Sequence, residues 1–264
     1  MIRKGKASIR LRFLILVAFF LGVTPARPLA QEKKLSIAAA ADLKSAMDDL
    51  AQQFERQTYN KVAVAYGSSG NFFSQILNGA PFDLFFSADL EYPQKLDAAG
   101  LAEPGTLFTY AVGQIVLWAP ADAKIDPAKQ QWGTLLNPAV QKIAVANPQH
   151  APYGRAAISA FRNAGIYDKV RERLVYGENV SQAAQFVQSG NAQVGIIAKS
   201  LAVSAPMRAG KYWNIPAGMF PPIEQAAIAL KNSPNKQTAR AFLDFVRNGL
   251  GQAILAKYGF AFPK

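Results

Sequence analysis

The fold is decided by the stretch Leu35-Ser36-Ile37-Ala38-Ala39-Ala40-Ala41-Asp42-Leu43-Lys44. Residues 35–39 are mostly apolar and typical of a buried strand, and a helix is predicted directly after them, over residues 42–57. The apolar residues of that helix recur at intervals of three and four and form one face: Leu43, Ala46, Met47, Leu50, Ala51 and Phe54. A strand that leads straight into an amphipathic helix begins a βαβ unit, so this stretch predicts an α/β fold.

The same alternation of strand and helix continues in two groups, which are separated by a longer apolar segment at 108–118. We interpret this segment as a crossover from one lobe to the next, and a strand at 225–230 as the return. Residues 205–222 are rich in glycine and proline and are predicted to be loop. The other predicted elements are strands at 62–66, 83–87, 143–146, 174–176 and 194–198 and helices at 90–99, 153–163, 180–189, 238–247 and 251–257.

Two lobes that are joined by two crossover segments predict a hinged cleft between them. We place lobe 1 at residues 31–112 and 229–264, and lobe 2 at residues 113–228. Each lobe is expected to hold a mainly parallel sheet flanked by helices. Ligands of open α/β sheets bind beyond the carboxyl ends of the strands, so the cleft is the expected binding site.

The first thirty residues have the layout of a secretory signal peptide. Basic residues precede an uncharged run at 13–23, and small residues and prolines follow it. This run has 11 residues, whereas a membrane-spanning helix needs roughly 20. We predict a signal peptide at 1–30 that is cleaved after Ala26 or Ala30, with Ala30 favoured. The alternative is an uncleaved membrane anchor.

The chain carries 29 basic and 17 acidic residues, but six of the basic residues lie in the predicted leader. The remaining 23 are spread along the chain without a basic run, which argues against nucleic-acid binding. The residual net charge of +6 (23 less 17) would help to attract an anion. Because the chain has no cysteine, it has no disulfide framework and no thiolate metal site.

Four predicted helix starts follow strands in the same way, at residues 40–44, 66–70, 151–154 and 177–180. A helix start presents free backbone N–H groups and partial positive charge, so it can bind an anion without a charged side chain. Two of these starts lie in each lobe, at the carboxyl ends of strands, and closure would bring them around one ligand. We predict that they converge on one oxyanion. The alternative is that they are ordinary loops between strands and helices.

Each candidate residue at these starts also has a purely structural interpretation. Ser69 either only caps a helix that ends at Gly79 or donates its hydroxyl and amide to the ligand. Tyr153 is either a rim aromatic or a donor through its hydroxyl or amide, and Val180 can contribute only its backbone N–H. Asp42 is typical of an N-cap. Its charge would repel an anion unless it turns away, is protonated, or accepts the proton of an anion such as hydrogen phosphate.

Catalytic motifs find little support in this sequence. His150 is the only histidine, so a Ser-His-Asp triad that includes Ser69 would have to use it. Residues 67–70 read Gly-Ser-Ser-Gly, which is not the Gly-x-Ser-x-Gly elbow of hydrolases. The sequence also lacks a phosphate loop, a dinucleotide fingerprint and metal-ligand spacing. We expect a binding protein rather than an enzyme, without a cofactor, and a secreted serine hydrolase is the remote alternative.

Several segments, in this order and spacing, carry a resemblance to a known family. They are Ala38-Ala39-Ala40-Ala41-Asp42-Leu43, Gly67-Ser68-Ser69-Gly70 with Gln75-Ile76, residues 79–89, residues 147–154, Glu178-Asn179-Val180 and Lys257-Tyr258-Gly259-Phe260. Over essentially the whole chain after the leader, the sequence resembles the periplasmic molybdate-binding proteins, the substrate-binding subunits of molybdate/tungstate ABC transporters.

This resemblance implies a two-lobed periplasmic binding protein fold of type II. It also implies capture of molybdate or tungstate in the periplasm and delivery to an ABC permease by a monomeric protein. Family members hold a dehydrated tetrahedral oxyanion through neutral donors, without direct metal ligands. By position, the implied ligand residues are Ala41, Asp42, Ser69, Tyr153 and Val180. A receptor for another tetrahedral oxyanion, such as sulfate or phosphate, is the alternative.

Three positions depart from the family pattern. Asp42 stands where relatives have serine or asparagine, and Ala41 stands where some have threonine. We therefore expect the first loop to contact the ligand through backbone N–H groups. One branch of the family uses a tyrosine where this chain has Ala198, and Tyr153 is expected to replace that contact.

Overall fold

The computed structural model describes Met1 and residues 34–263. Apart from Met1, the predicted signal peptide at 1–30 lies outside the described residues. The strands are β1 (Lys34–Ala40), β2 (Lys61–Gly67), β3 (Leu84–Ser87), β4 (Phe108–Gly113), β5 (Ile115–Ala119), β6 (Ile143–Ala146), β7 (Leu174–Gly177), β8 (Val194–Ala198), β9 (Lys211–Asn214) and β10 (Ile223–Ala229).

Eleven α-helices are described within residues 34–263. They are α1 (Lys44–Thr58), α2 (Ser69–Leu77), α3 (Glu91–Ala98), α4 (Pro127–Gln130), α5 (Gly133–Leu136), α6 (Pro152–Asn163), α7 (Tyr167–Val170), α8 (Val180–Gln188), α9 (Lys199–Ala202), α10 (Lys236–Arg247) and α11 (Gly249–Lys257). Short 3₁₀ helices lie at Ala41–Leu43, Arg171–Arg173 and Ala217–Met219. None of the described helices combines the length and the apolar character that a bilayer crossing requires.

The strands form two five-stranded sheets, with the orders β2-β1-β3-β10-β4 and β7-β6-β8-β5-β9. In the first sheet only β10 runs against the other strands, and in the second sheet only β5 does. The two sheets have the same topology and are flanked by helices. The predicted two-lobed α/β fold with mainly parallel sheets is confirmed.

Two connections cross between the sheets. The chain leaves the first sheet through β4 and enters the second at β5, with Gln114 alone between the two strands. It returns through residues 215–222 to β10, which pairs with β3 and β4. The sequence-based division assigned residues 223–228 to the second lobe, whereas their pairing places them in the first sheet. Strand β9, within the segment that was predicted to be loop, pairs with β5.

Apolar strands and helix faces form the cores on both sheets. Strands β6 and β8 are buried along their whole length and match the predicted strands at 143–146 and 194–198. Such unbroken apolar strands are typical of sheets that are covered on both faces. On the first sheet, Phe242 meets Phe54 and Phe86 edge to face, at ring separations of 5.0 and 5.9 Å. Burial of each such ring stabilises the fold by about 1.5–3 kcal/mol.

The carboxyl ends of four strands lead directly into helix starts. Strands β1, β2 and β7 are followed at once by a helical turn or by a one- or two-residue connection, and β6 is followed by a five-residue loop to α6. Because parallel strands share one edge of a sheet, each sheet presents two of these starts on the same side.

Candidate anion-binding site

The four helix starts line one small cavity of about 200 Å³, a volume that includes the solvent at its mouth. Each of the four predicted starts contributes to its wall, so the structure brings the four starts together at one place. The lining residues are Ala40, Ala41, Asp42, Gly67, Ser68, Ser69, Ala88, Ala151, Pro152, Tyr153, Asn179 and Val180. No lysine, arginine or histidine is among them. The site can therefore compensate an anion only with N–H groups, hydroxyls and helix dipoles.

Local sequence explains why these helix starts leave N–H groups free. Helix α6 begins with Pro152, whose missing N–H costs nothing at the first helical position, and the N–H of Tyr153 follows. Helix α8 is capped by Asn179, whose side chain accepts from the N–H of Gln182. This cap leaves the N–H of Val180, the first helical residue, without an intrahelical acceptor.

Two neighbouring serines on α2 have different environments. Ser69 was predicted as the cap, but Ser68 occupies the cap position and makes no side-chain cap bond. The Ser69 hydroxyl oxygen accepts from the N–H of Ala88 at 2.9 Å, and its own proton remains available to a ligand. The Ser68 hydroxyl is buried in the cavity wall and has no hydrogen-bond partner within the described residues. Ser68 is thus a further candidate site residue. The one signal for it in the sequence is the pair of adjacent serines in Gly67-Ser68-Ser69-Gly70.

Asp42 does not cap a helix with its side chain. Its Oδ2 accepts from the Tyr153 hydroxyl at 3.0 Å and from Gln225 Nε2 at 2.7 Å. Gln225 is held in that orientation because its Oε1 accepts from the Tyr110 hydroxyl at 2.7 Å. Asp42 Oδ1 accepts no hydrogen bond of good geometry among residues 34–263, although the N–H groups of Asp42 and Leu43 lie near the carboxylate. The carboxylate is therefore held in a polar network between the two halves of the cleft.

Burial has the largest effect on the pKa values of Asp42 and Tyr153 in this network. Asp42 is 1% exposed, and loss of hydration raises the pKa of its carboxyl to about 7. Hydrogen bonds from Gln225 and Tyr153 lower that pKa, but they do not compensate for burial. Burial, followed by the nearby Asp42 charge, raises the pKa of the Tyr153 hydroxyl well above its ordinary range. Tyr153 is therefore a neutral donor at physiological pH.

The predicted site residues divide according to which atoms remain free. The Tyr153 hydroxyl is committed to Asp42 and also accepts from Gln225 Nε2 at 2.9 Å, so its backbone N–H is the atom left for a ligand. Val180 buries its side chain and offers its N–H. Ala41 lines the wall through its backbone, as expected from its small side chain. Ala198 is buried at the end of β8 and is not part of the cavity wall.

Polar contacts hold the cleft closed around the cavity. The Gly70 N–H donates to the His150 carbonyl at 3.0 Å, and Asn71 Nδ2 donates to Glu178 Oε1 at 3.0 Å. The hydroxyls of Ser181 and Ser200 donate to the carbonyls of Ala41 (2.9 Å) and Asp42 (2.7 Å). Arg155 forms an ion pair with Asp89. Each of these contacts joins a residue that follows a strand of the first sheet to a residue that follows a strand of the second sheet.

The hydrolase alternative finds no support in this geometry. A ring nitrogen of His150 lies 3.0 Å from the Glu178 carbonyl oxygen, and His150 is not part of the cavity wall. Within residues 34–263, no hydrogen bond joins it to Ser69, as a nucleophile and its base would require. The same described residues contain no group of three or more histidine or carboxylate side chains that is placed to hold a metal ion.

Comparison with known proteins agrees with this arrangement. Residues 35–261 match the family described as bacterial extracellular solute-binding protein. The molybdate-binding protein ModA of Rhodobacter capsulatus is 38% identical over 84% of this chain and 86% of that protein. ModA of Azotobacter vinelandii is 36% identical over 88% of this chain and 91% of that protein.

A solved structure has the same fold. The periplasmic molybdate-binding protein of Azotobacter vinelandii superposes with a TM-score of 0.82 at 36% identity, covering 87% of this chain and 100% of that one. Fold, sequence and cavity thus agree. The chain belongs to the bacterial extracellular solute-binding proteins and, within them, to the family of the molybdate-binding proteins.

Proposed function

We propose that this protein captures molybdate or tungstate reversibly and delivers it to an ABC permease. The observation that carries the proposal is the convergence of four helix starts, two from each sheet, on one small cavity without a basic side chain in its wall. Such a wall suits a compact anion that is recognised by directed donors. The names of the relatives at 36–38% identity support molybdate as that anion.

The energetics favour an anion that carries no proton. A dianion loses its hydration in the cavity, which is costly. Charge-assisted hydrogen bonds, each contributing roughly 1.5–3 kcal/mol, offset that cost when several donors surround the ligand. Since Asp42 is the one carboxylate among the residues that line the wall, a protonated anion such as hydrogen phosphate would find few strong acceptors. Cavity size would then separate molybdate and tungstate from the smaller sulfate.

We assign the ligand contacts to the five residues that the sequence predicts, with Ser68 added. Ala41, Asp42, Tyr153 and Val180 would contribute backbone N–H groups, and Ser69 its hydroxyl and N–H. The buried, unpartnered Ser68 hydroxyl would be a further donor. Recognition is then binding alone, with no chemical step and no cofactor.

The proposed function also includes export to the periplasm and closure of the two lobes around the ligand. The leader at 1–30 would direct the chain to the periplasm and be cleaved there. The protein would act as a monomer whose lobes swing about the two crossover segments, with lobe 1 at 34–113 and 223–263 and lobe 2 at 115–214. Ligand binding would favour the closed form, in which both lobes present one joint surface to the permease.

Thermal stability in the presence of different anions tests the proposal. A ligand at about 100 times its Kd stabilises a protein by about 2.7 kcal/mol, which corresponds to a rise in Tm of roughly 5–10 °C for a chain of this size. We expect such a rise with molybdate and tungstate, and a much smaller one with sulfate or phosphate at matched ionic strength. Equal shifts with all four anions, or a shift with phosphate alone, would contradict the proposal.

A further inference from the structure

Asp42 is the one acidic side chain in the wall of a cavity that otherwise presents donors. Its two carboxyl oxygens have different environments. Oδ2 accepts two hydrogen bonds, from Tyr153 and Gln225, whereas Oδ1 is buried and accepts no hydrogen bond of good geometry among the described residues, with only the N–H groups of Asp42 and Leu43 near the carboxylate. The tyrosine and the glutamine amide are both donors to Oδ2, so a proton on the carboxyl belongs on Oδ1.

Within residues 34–263, the Asp42 carboxylate forms no ion pair, and its hydrogen-bond partners are neutral. Helix α8, which packs against the turn that carries Asp42, contains no titratable residue. Titratable or charged side chains on the other surrounding elements include Tyr153 of α6, Tyr110 of β4, Glu224 of β10, Lys44 of α1, Lys199 of α9, and Asp89 with its partner Arg155.

These neighbours do not supply a positive charge to the carboxylate. Lys44 pairs with Asp48 at 3.3 Å, and Lys199 donates to Gln114 Oε1 at 3.0 Å. The two tyrosines are neutral because burial raises the pKa of both hydroxyls well above the ordinary range. An ionised Asp42 would therefore face an incoming dianion directly, in a closed cavity that screens little of the repulsion.

We propose that anion capture takes up one proton from solvent, which Asp42 holds on Oδ1 and donates to a ligand oxygen. The inference rests on the proposed function and specifies the form of the site that binds the dianion. In the open cleft the carboxyl is hydrated and ionised. On closure it gains the proton, no other bond forms or breaks, and the single carboxylate in the wall becomes one more neutral donor.

Because proton binding and anion binding are coupled, the shift in the pKa of Asp42 fixes how the anion affinity changes with pH. Burial raises the pKa of Asp42 from 3.8 to about 7 in the closed cleft, and a bound dianion raises it further. Between the ordinary carboxyl range and the raised value, the closed, loaded form holds one proton more than the open form. Affinity therefore falls as the pH rises, by up to about tenfold per pH unit between about pH 5 and pH 7.

Calorimetric titration of the purified protein with molybdate, in buffers of low and high ionisation enthalpy, counts the protons directly. We expect about one proton to be taken up per anion at about pH 6. In Asp42→Asn, which keeps the size of the side chain and a donor group, we expect an uptake near zero and an affinity that no longer depends on pH. Asp83→Asn is the matched control, because Asp83 is also a buried carboxylate, but it bonds to Ser36, Ser233 and Asn235 outside the cavity wall.

The outcomes separate this inference from the proposed function. Uptake of about one proton in the wild type and in Asp83→Asn, with none in Asp42→Asn, supports the inference. Molybdate binding without proton uptake in the wild type overturns it, leaves the proposed function intact and does not depend on how well any variant folds. Proton uptake that persists in Asp42→Asn also overturns it. Absence of molybdate and tungstate binding at every pH overturns the proposed function together with this inference.

Discussion

The cavity wall is built from residues whose side chains are small, neutral or turned into hydrogen bonds with the protein. Ala40, Ala41 and Ala88 leave backbone groups uncovered, and Ser69 adds a hydroxyl whose oxygen is already fixed by the Ala88 N–H. A fixed oxygen orients the remaining proton before the ligand arrives. Preorganised donors lose little conformational freedom on binding, so small side chains can support tight binding.

Replacement of Ser69 by alanine tests this hydroxyl. We expect a loss of roughly 1.5–3 kcal/mol of binding free energy, or about a 10- to 150-fold increase in the Kd for molybdate. Isothermal titration calorimetry measures the change. Ser74→Ala is the control, because the Ser74 hydroxyl donates to the Gly70 carbonyl of the same helix and lies outside the cavity. An unchanged Kd in Ser69→Ala would remove this hydroxyl from the site.

For single residues, the sequence predicts the type of a site residue better than its hydrogen-bond partners. Asp42 stands out in the sequence as an acid beside an anion site. Its network could not be predicted, because Tyr153 and Gln225 lie 111 and 183 residues further along the chain. The same limit separates Ser68 from Ser69: both sit beside a glycine, and only the position of the Ala88 N–H distinguishes their roles.

Among the secondary-structure elements, the helix starts carry the binding function. Helix α8 begins at Val180 after an extended Asn179, which is the backbone geometry that can precede a proline. Proline is also well tolerated at the first helical position. A substitution can therefore delete the Val180 N–H while the helix itself remains.

Val180→Pro is expected to weaken molybdate binding by about 10- to 150-fold, since one charge-assisted hydrogen bond of roughly 1.5–3 kcal/mol is lost. Val180→Ala is the matched control, because it shortens the side chain and keeps the N–H. The two Kd values are compared by calorimetry, and circular dichroism checks the helix content. If Val180→Ala weakened binding as much as Val180→Pro, the side chain rather than the amide would be responsible.

The start of α2 also forms part of the closing surface. Gly70 donates its N–H to the His150 carbonyl, and a Cβ on Gly70 would lie 2.8 Å from His150 Cβ and 2.7 Å from the Tyr92 hydroxyl oxygen. These distances are shorter than carbon and oxygen atoms tolerate without displacement. Only glycine allows the two halves of the cleft to approach this closely.

We expect Gly70→Ala to hinder closure and to raise the Kd for molybdate by at least about tenfold. Small-angle scattering should show a smaller ligand-induced decrease in radius of gyration than in the wild type. Gly133→Ala serves as control, because no atom lies within 4 Å of a Cβ at that helical position. Wild-type affinity and compaction in Gly70→Ala would show that this contact is not needed for closure.

The pattern of apolar residues explains which strands can be predicted from the sequence. Strands β6 and β8 match their predicted bounds because every residue is buried and apolar or small. Strand β9 was missed because its sequence, Lys-Tyr-Trp-Asn, is short, half-buried and surrounded by glycine and proline. It is a strand because β5 offers an unpaired edge beside it, and that tertiary contact leaves no local signal.

For the whole molecule, the topology places the binding site between the sheets. Two sheets of the same order are joined by two crossovers, β4–β5 and β9–β10. Within each sheet the two crossover strands pair with one another, β4 with β10 and β5 with β9. The repeated strand–helix pattern was sufficient to predict two lobes and a cleft. The return crossing was predicted late, at residue 229, because the sequence alone does not show that all of β10 pairs with β3 and β4.

The most direct test of the whole account is a calorimetric titration of the purified protein with molybdate, tungstate, sulfate and phosphate under one set of conditions. We expect molybdate and tungstate to bind with Kd values within about tenfold of each other, and sulfate and phosphate to bind at least about a hundredfold more weakly. Sulfate or phosphate binding as tightly as molybdate would contradict this expectation.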